Sequence, residues 1–341
     1  MMRIEKINIQ EYIKYLEKVG VSDSEQKLLI EYAARLEENG IPVIWDMKHF
    51  SILLGIEYKM LLRYINSANE FYHPICIPKK TEGFRQLEIP TMKLKEIQSA
   101  ILVDILEHFK VSPHAYAFKK GRSIVDNARK HIDKEYVLNL DLKDFFGTIR
   151  YERVFRVFYY YGYTKEVSYM LAKLVTQNEV LPQGAPTSPY LSNVVCLKLD
   201  KRLNGLARKL NCIYTRYADD ITFSGSVYPN EYLYLVRRII KEEGFCVNED
   251  KTRIQTRNYR QEVTGIIVNK RLRVNRKYKL YLRQQIYYIK KFGIDNHLHK
   301  IGCDASGYKE HLYGIAYFIK MVEKEEGEKW LCELNQINWY Y

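Results

Sequence analysis

Cys212-Ile213-Tyr214-Thr215-Arg216-Tyr217-Ala218-Asp219-Asp220-Ile221-Thr222-Phe223-Ser224 runs from apolar and β-branched residues through two adjacent acids to apolar and β-branched residues again. That pattern predicts a β-hairpin with an anionic tip. Adjacent carboxylates at a tight turn repel each other and weaken the hairpin, unless a divalent cation neutralises them and turns repulsion into coordination. The stretch therefore points to a hard-metal site for Mg²⁺ or Mn²⁺. Taken alone, an Asp-Asp pair is more often a solvated turn.

Two upstream segments shift that balance. Residues 136–146 (Tyr-Val-Leu-Asn-Leu-Asp-Leu-Lys-Asp-Phe-Phe) read as a buried strand running into Asp141, which sets a third carboxylate at a strand end. Residues 181–193 (Leu-Pro-Gln-Gly-Ala-Pro-Thr-Ser-Pro-Tyr-Leu-Ser-Asn) read as a Pro- and Gly-rich loop passing into a helix. In this order the three segments resemble motifs A, B and C of reverse transcriptases, and Tyr217-Ala218-Asp219-Asp220 is that family's signature box.

Composition is consistent with such a chain. Its 341 residues can bury a large core, and 54 Lys and Arg against 41 Asp and Glu leave a formal charge of +13, which favours a polyanionic partner. Six cysteines, at 76, 196, 212, 246, 303 and 332, form no Cys-x-x-Cys pair and lack the His clustering of a zinc site. They are expected to be reduced and mostly buried. The N-terminus lacks the apolar run of a signal peptide, and no window offers the roughly 18 uninterrupted apolar residues of a membrane span. The expectation is a soluble, cytoplasmic protein.

Residues 8–66 read as helices, with Ser24 ahead of an apolar stripe at Leu28, Leu29, Tyr32, Ala33 and Leu36 that Gly40 and Pro42 close. A second helical pair breaks near Gly55. Residues 72–78 and 84–90 alternate like two short strands joined by Lys79-Lys80-Thr81-Glu82-Gly83, a basic hairpin suited to closing over phosphates. Thr91 precedes a helix with core positions Leu94, Ile97, Ile101 and Ile105. Helical segments follow at about 150–161, 164–177, 187–209 and 229–243. From 263 to 294 there are nine Lys or Arg and no acid, interleaved with Tyr278, Tyr281, Tyr287 and Tyr288 on a helix from about 276 to 292. Cations meet phosphates while rings pack on sugars or bases, so this is a candidate nucleic-acid clamp; a basic run is otherwise just a solvated face.

The resemblance covers most of residues 70–295 and implies an α+β fold of right-hand polymerase architecture. Its parts would be an N-terminal helical region at 1–70, fingers at 71–135, a palm with an antiparallel sheet at 136–262, carrying a helical insertion at about 150–180, and a helical thumb at 263–341. It implies RNA-directed DNA polymerisation with Asp141, Asp219 and Asp220 as catalytic residues, and with Asp141, Leu142, Asp219 and Asp220 holding two Mg²⁺ ions. Asp144 is expected to face away or hold local structure. Nucleotide binding falls to Arg85, Phe146, Gln183, Gly184 and Lys251: the arginine at the triphosphate, Phe146 against a 2′-hydroxyl, Lys251 near the leaving pyrophosphate.

Two further segments resemble signatures of retron reverse transcriptases, Asn127-Ala128-Arg129-Lys130-His131 and Val263-Thr264-Gly265. On the residues alone, His131 is more often a capping or core histidine than a ligand. The resemblance makes Asn127, His131, Val263, Thr264 and Gly265, together with Arg276 and Lys277 of the basic helix, candidate contacts for a cognate structured non-coding RNA. It implies deoxynucleotides as substrate, a branched RNA-linked DNA product, a role in antiphage defence and a separate effector protein as a further partner. Other bacterial reverse transcriptases of abortive-infection or group II intron-like type, and a catalytically silent RNA-binding scaffold, are the alternatives.

Overall fold

The structure, a computed structural model, describes residues 2–4, 22–78, 83–302 and 306–339. The basic hairpin tip, with Lys79 and Lys80, and Cys303 lie outside the described residues, as does most of the helical reading for 8–21. Among the described residues the strands in chain order are Tyr72–Pro78 (β1), Phe84–Pro90 (β2), Tyr136–Leu142 (β3), Ile213–Tyr217 (β4), Asp220–Gly225 (β5), Val247–Thr256 (β6), Glu262–Val263 (β7), Ile266–Ile267 (β8) and Arg273–Val274 (β9). They form a β1-β2 ribbon, an antiparallel sheet ordered β4-β5-β3-β6 and a small β7-β8-β9 sheet; helices make up most of the rest. Contacts divide the chain into two compact units. One comprises Met1–Lys119, Leu142–Arg202 and Arg238–Cys246, the other Lys120–Asp141, Leu203–Arg237 and Val247–Tyr341.

In the first unit the helix Met92–Asp104 buries Leu94, Ile97 and Ile101 at the spacing of one helical face. Gln98 is buried on the same helix because its amide is used twice, donating to the Tyr72 hydroxyl at 2.7 Å and to the Leu174 carbonyl at 2.9 Å. Phe109 stacks on Tyr161 with ring centroids 3.7 Å apart. Helices Tyr151–Tyr160 and Lys165–Val175 occupy the expected positions. Three local details differ. Ser22, not Ser24, caps the first described helix, accepting from the Glu25 amide, and Leu28 of the expected stripe is exposed. The helix expected over 187–209 is two helices, Ser188–Val195 and Leu197–Lys209, separated at Cys196.

The second unit is organised by the four-stranded sheet. Cross-strand partners share a face, and the register pairs Asp141 with Asp220, Asn139 with Thr222 and Thr215 with Thr222. One face therefore carries Asp141, Asp220, Asn139, Thr222, Thr215 and Ser224, and the other carries Leu138, Leu140, Tyr214, Arg216, Ile221 and Phe223. The second set is buried, and each large apolar side chain among them contributes about 1.5–3 kcal/mol. The polar face is covered by the helix Ile124–Arg129 and the turn after it, where Val125 and Ala128 pack with Val137, Val263, Ile266 and Val268. A separate core joins helices Arg276–Phe292, Ile294–Ile301, Tyr308–Val322 and Lys324–Asn335.

Of the five described cysteines, Cys196 and Cys212 are buried but Cys76, Cys246 and Cys332 are exposed, correcting the expectation of mostly buried thiols. Cys76 is exposed because the β1-β2 ribbon presents most of its residues to solvent. Among the described residues no helix is long and apolar enough to cross a membrane.

Candidate active site

The hairpin read first from the sequence forms β4 and β5, joined by Ala218 and Asp219, with Tyr217 paired to Asp220. So short a connection requires a left-handed residue, and Ala218 takes it at φ 57°. The carbonyl of this strained alanine accepts a 3.0 Å hydrogen bond from Arg216 Nη1, whose side chain is fully buried beneath the tip. The turn is thus fixed from below by a residue that the sequence reading passed over. A lone Arg in an apolar strand gave the only signal for it.

Asp141 and Asp220 stand opposite each other on neighbouring strands, with Asp219 beside them at the tip. Loss of water around the Asp220 carboxyl, then the charges of Asp219 and Asp141, push it up to about 7, against smaller opposing pulls from Lys251 and Arg253. Asp220 keeps an exposed surface, so the repulsion from its two neighbours is the firmer part of that shift. The counter-charge comes from β6, where Lys251 Nζ lies 3.0 Å and 3.1 Å from the two oxygens of Asp141, and Asn248 Nδ2 donates to the same carboxylate at 3.3 Å. Lys251 stands on a strand, which aims it along the acidic edge. Among the described residues, no three acid, histidine or cysteine side chains are gathered closely enough to hold a metal ion as they stand.

Asp144 is exposed, takes a left-handed φ of 45° and accepts from the Thr148 amide, which makes it a turn residue. The two adjacent phenylalanines divide their roles. Phe145 is buried and stacks on Phe245, whereas Phe146 is half-buried, 6.4 Å from the exposed Phe118 ring. The side chain of Leu142 is buried, leaving its backbone as the group available to a ligand.

The Gln183–Gly184 loop lies on β2: the Gln183 carbonyl accepts from the Glu88 amide at 2.8 Å. Gly184 has φ 139°, and a Cβ there would meet the Glu88 carbonyl oxygen at 2.5 Å, so only glycine lets the loop approach the strand this closely. Arg85, on the same strand, is exposed.

The residues expected to contact RNA separate into two groups. Thr264 and Gly265 form the β7-β8 turn at φ 47° and 82°, with Gly265 exposed and the Thr264 hydroxyl donating to the Ile124 carbonyl at 3.2 Å. Arg276 and Lys277 are exposed at the start of the helix Arg276–Phe292. On that helix, Leu280, Arg283, Gln284, Tyr287 and Tyr288 line a groove. Lys279 is instead held between Glu323 and Glu326, and Lys290 meets Glu333, so part of the basic run is neutralised within the protein.

The other group is internal. Val263 is core. Asn127 is buried, with neither amide atom hydrogen-bonded among the described residues. His131 is fully buried between Ser224 Oγ at 2.7 Å and Thr215 Oγ1 at 2.8 Å, and burial holds its pKa down to about 3, so the imidazole is neutral. Their burial follows from the packing of the helix Ile124–Arg129 on the sheet, a contact between segments far apart in sequence.

Residues 77–279 match the family described as reverse transcriptase (RNA-dependent DNA polymerase). The chain is 36% identical over 325 residues to the retron Mx65 reverse transcriptase of Myxococcus xanthus, covering 88% of this chain and 74% of that one. It is 32% identical over 315 residues to the retron Ec86 reverse transcriptase of Escherichia coli, covering 90% and 94%. Among solved structures, telomerase from Candida albicans in complex with a fragment of telomeric RNA aligns with a TM-score of 0.46 at 11% identity, over 78% of this chain and 63% of that one. A match over most of the chain, with the acids at a β-hairpin tip and a facing strand end, shows that this protein belongs to the retron reverse transcriptases, RNA-directed DNA polymerases of right-hand α+β architecture.

Proposed function

We propose that this enzyme copies a cognate structured non-coding RNA into single-stranded DNA that stays joined to the RNA as a branch, that the product serves antiphage defence alongside a separate effector protein, and that Asp141, Asp219 and Asp220 hold its metal ions. Reverse transcriptases generally use divalent ions; Mg²⁺ is the ion proposed here, with Mn²⁺ as a substitute. The observation that carries the site reading is the register that sets Asp220 opposite Asp141 with Asp219 beside them at the tip; loss of water and then the two neighbouring charges raise Asp220 well above the ordinary carboxylate range. Such a donor set fits a hard cation: it is made of carboxylate oxygens, without thiolate or imidazole, and its mutual repulsion is relieved by added positive charge. Lys251 supplies that charge at Asp141 in the present arrangement.

Asp141, Asp219 and Asp220 would hold the ions, with the backbone of Leu142 as a fourth contact. Ions held there would supply the charge that activates a primer hydroxyl and steadies a departing pyrophosphate oxygen in an in-line displacement at the α-phosphorus. In the same proposal Arg85 binds the triphosphate of the incoming deoxynucleotide, Gln183 and Gly184 contact nucleotide and template, and Phe146 excludes a 2′-hydroxyl. Lys251 offers its ammonium to the leaving pyrophosphate. Thr264, Gly265, Arg276 and Lys277 are the proposed RNA contacts, with Asn127, His131 and Val263 supporting them from within. The fingers, palm and thumb limits at 71–135, 136–262 and 263–341 belong to the same proposal.

The test is to co-express the chain with the RNA encoded beside its gene and look for DNA covalently joined to RNA. Wild type should make that product, and Asp219→Asn or Asp141→Asn should make none while still binding the RNA, since the basic surface carries no metal ligand. Substantial synthesis by either purified variant would remove the site assignment, and synthesis of unbranched DNA alone would remove the branched product.

A further inference from the structure

The buried histidine has partners whose positions bear on the reaction. Thr215 lies on β4 four residues before Asp219, and Ser224 lies on β5 four residues after Asp220. Both hydroxyls point to the sheet face that also carries Asp141 and Asp220, and His131 bridges them at 2.8 Å and 2.7 Å. Between this bridge and the acids the same face holds a second polar link, Asn139 Nδ2 to Thr222 Oγ1 at 3.2 Å, with Gln255 donating to Asn139 Oδ1 from β6. Buried and part-buried polar contacts therefore line this face from His131 towards the carboxylates, where a β-sheet would ordinarily carry apolar side chains.

We propose that His131 is a positioning residue for DNA synthesis, an imidazole cross-link that fixes β4 against β5 and so sets where the Asp219–Asp220 tip stands relative to Asp141. It rests on the reading of those acids as the metal-holding set.

The physical case starts from the tip's own instability. Adjacent acids facing a third tend to splay the turn, and its Ala218 already occupies a strained backbone region. Backbone pairing holds β4 to β5, but β4 stands at the edge of the four-stranded sheet and is paired on the β5 side only, which leaves its twist softer than that of β5, held between β4 and β3. A side chain bonded to both arms from outside the hairpin removes that freedom. Neutral imidazole suits the place, since it carries one N–H and one lone pair while each hydroxyl can donate or accept. Both bonds are satisfied without burying a charge. The residue touches neither substrate nor the reacting atoms, so its effect on the chemical step would pass through the hairpin.

The experiment separates positioning from stability. Variant His131→Leu leaves two buried hydroxyls without a partner and is expected to lower both the melting temperature and kcat. The triple variant His131→Leu, Thr215→Val, Ser224→Ala replaces all the partners by apolar groups, which restores satisfied packing while leaving the cross-link absent. Wild type and variants are assayed on a generic annealed primer-template and on the native RNA, with melting temperature, primer-template affinity, nucleotide KM and kcat, and the concentration of Mn²⁺ giving half-maximal binding in titrations without nucleotide. The triple variant is expected to melt near wild type and keep its primer-template affinity and nucleotide KM. Its kcat should fall about ten- to a hundredfold, the cost of a small misplacement of reacting groups, and it should need several-fold more Mn²⁺. Variant His131→Gln, whose amide can still donate and accept, should recover part of the kcat.

A triple variant with wild-type kcat and Mn²⁺ binding would overturn the proposal and leave His131 as packing. Loss confined to the native RNA would also overturn it, in favour of RNA recognition. Should Asp219→Asn retain synthesis, the metal-site reading fails instead, whatever the triple variant does.

Discussion

Lys251 Nζ sits within 3.1 Å of both carboxylate oxygens of Asp141, so the acid expected to ligate metal is already engaged by a cation of the protein itself. Lys251 is more than half exposed, which limits the pair to about 0.2–1 kcal/mol. Metal and ammonium compete for the same oxygens. Variant Lys251→Met should therefore bind Mn²⁺ about two- to fivefold more tightly in calorimetric titration without nucleotide, while nucleotide addition slows because the leaving pyrophosphate loses a counter-charge. Unchanged or weaker Mn²⁺ binding would show that the ion pair does not occupy the metal's place.

The Asp220 carboxyl, held up at about 7, must lose its proton before it can ligate a cation. Protonation opposes metal binding below that pH and ceases to matter above it. The apparent affinity for Mg²⁺ should accordingly rise as pH passes from 6 to 8 and then level off. Calorimetry at pH 6.5 should show proton release, seen as a binding heat that depends on the ionisation enthalpy of the buffer. Variant Asp220→Asn should lose most of this pH slope; a slope that survives belongs to another group.

Phe145 and Phe146 offer a paired test. Phe145 is 4% exposed, and Phe145→Ala should cost about 3–5 kcal/mol of stability in denaturant unfolding. Phe146 is half-buried and should cost less, but Phe146→Ala should raise the ratio of ribonucleotide to deoxynucleotide incorporation. An unchanged ratio would make Phe146 a packing residue.

The sequence was most informative where a few adjacent residues determine the geometry. The acidic hairpin and the strand ending at Asp141 were legible, because alternation and turn chemistry act over fewer than about ten residues, whereas the close approach of Gly184 to β2 joins segments far apart. What was not legible depends on segments far apart. Asp141 and Lys251 are 110 residues apart, and His131 lies 84 and 93 residues from its two partners, so nothing local distinguishes a lysine at an active site from a surface one, or an RNA-reading histidine from a buried brace. Arg216 shows the same limit: its burial is set by the whole sheet, and its contact with the Ala218 carbonyl is a property of the folded turn.

The basic run from 263 to 294 shows how the structure changes the choice of experiment. Lys279 and Lys290 are engaged by glutamates, and reversing either would break an ion pair within the protein as well as any contact with nucleic acid. Arg276 and Lys277 are exposed, so they report on the ligand more cleanly. The double reversal Arg276→Glu with Lys277→Glu should weaken RNA binding and reduce the steepness of log affinity against log salt, by about 0.9 per lost phosphate contact on a duplex and about 0.7 on a single strand. The melting temperature should stay near wild type, since neither side chain is part of the helical core that Leu282, Ile286 and Ile289 build. An unchanged slope with unchanged affinity would mean that this end of the helix is simply solvated, and the RNA contacts would then have to be sought on the Arg283, Gln284 and Tyr287 side of the same helix.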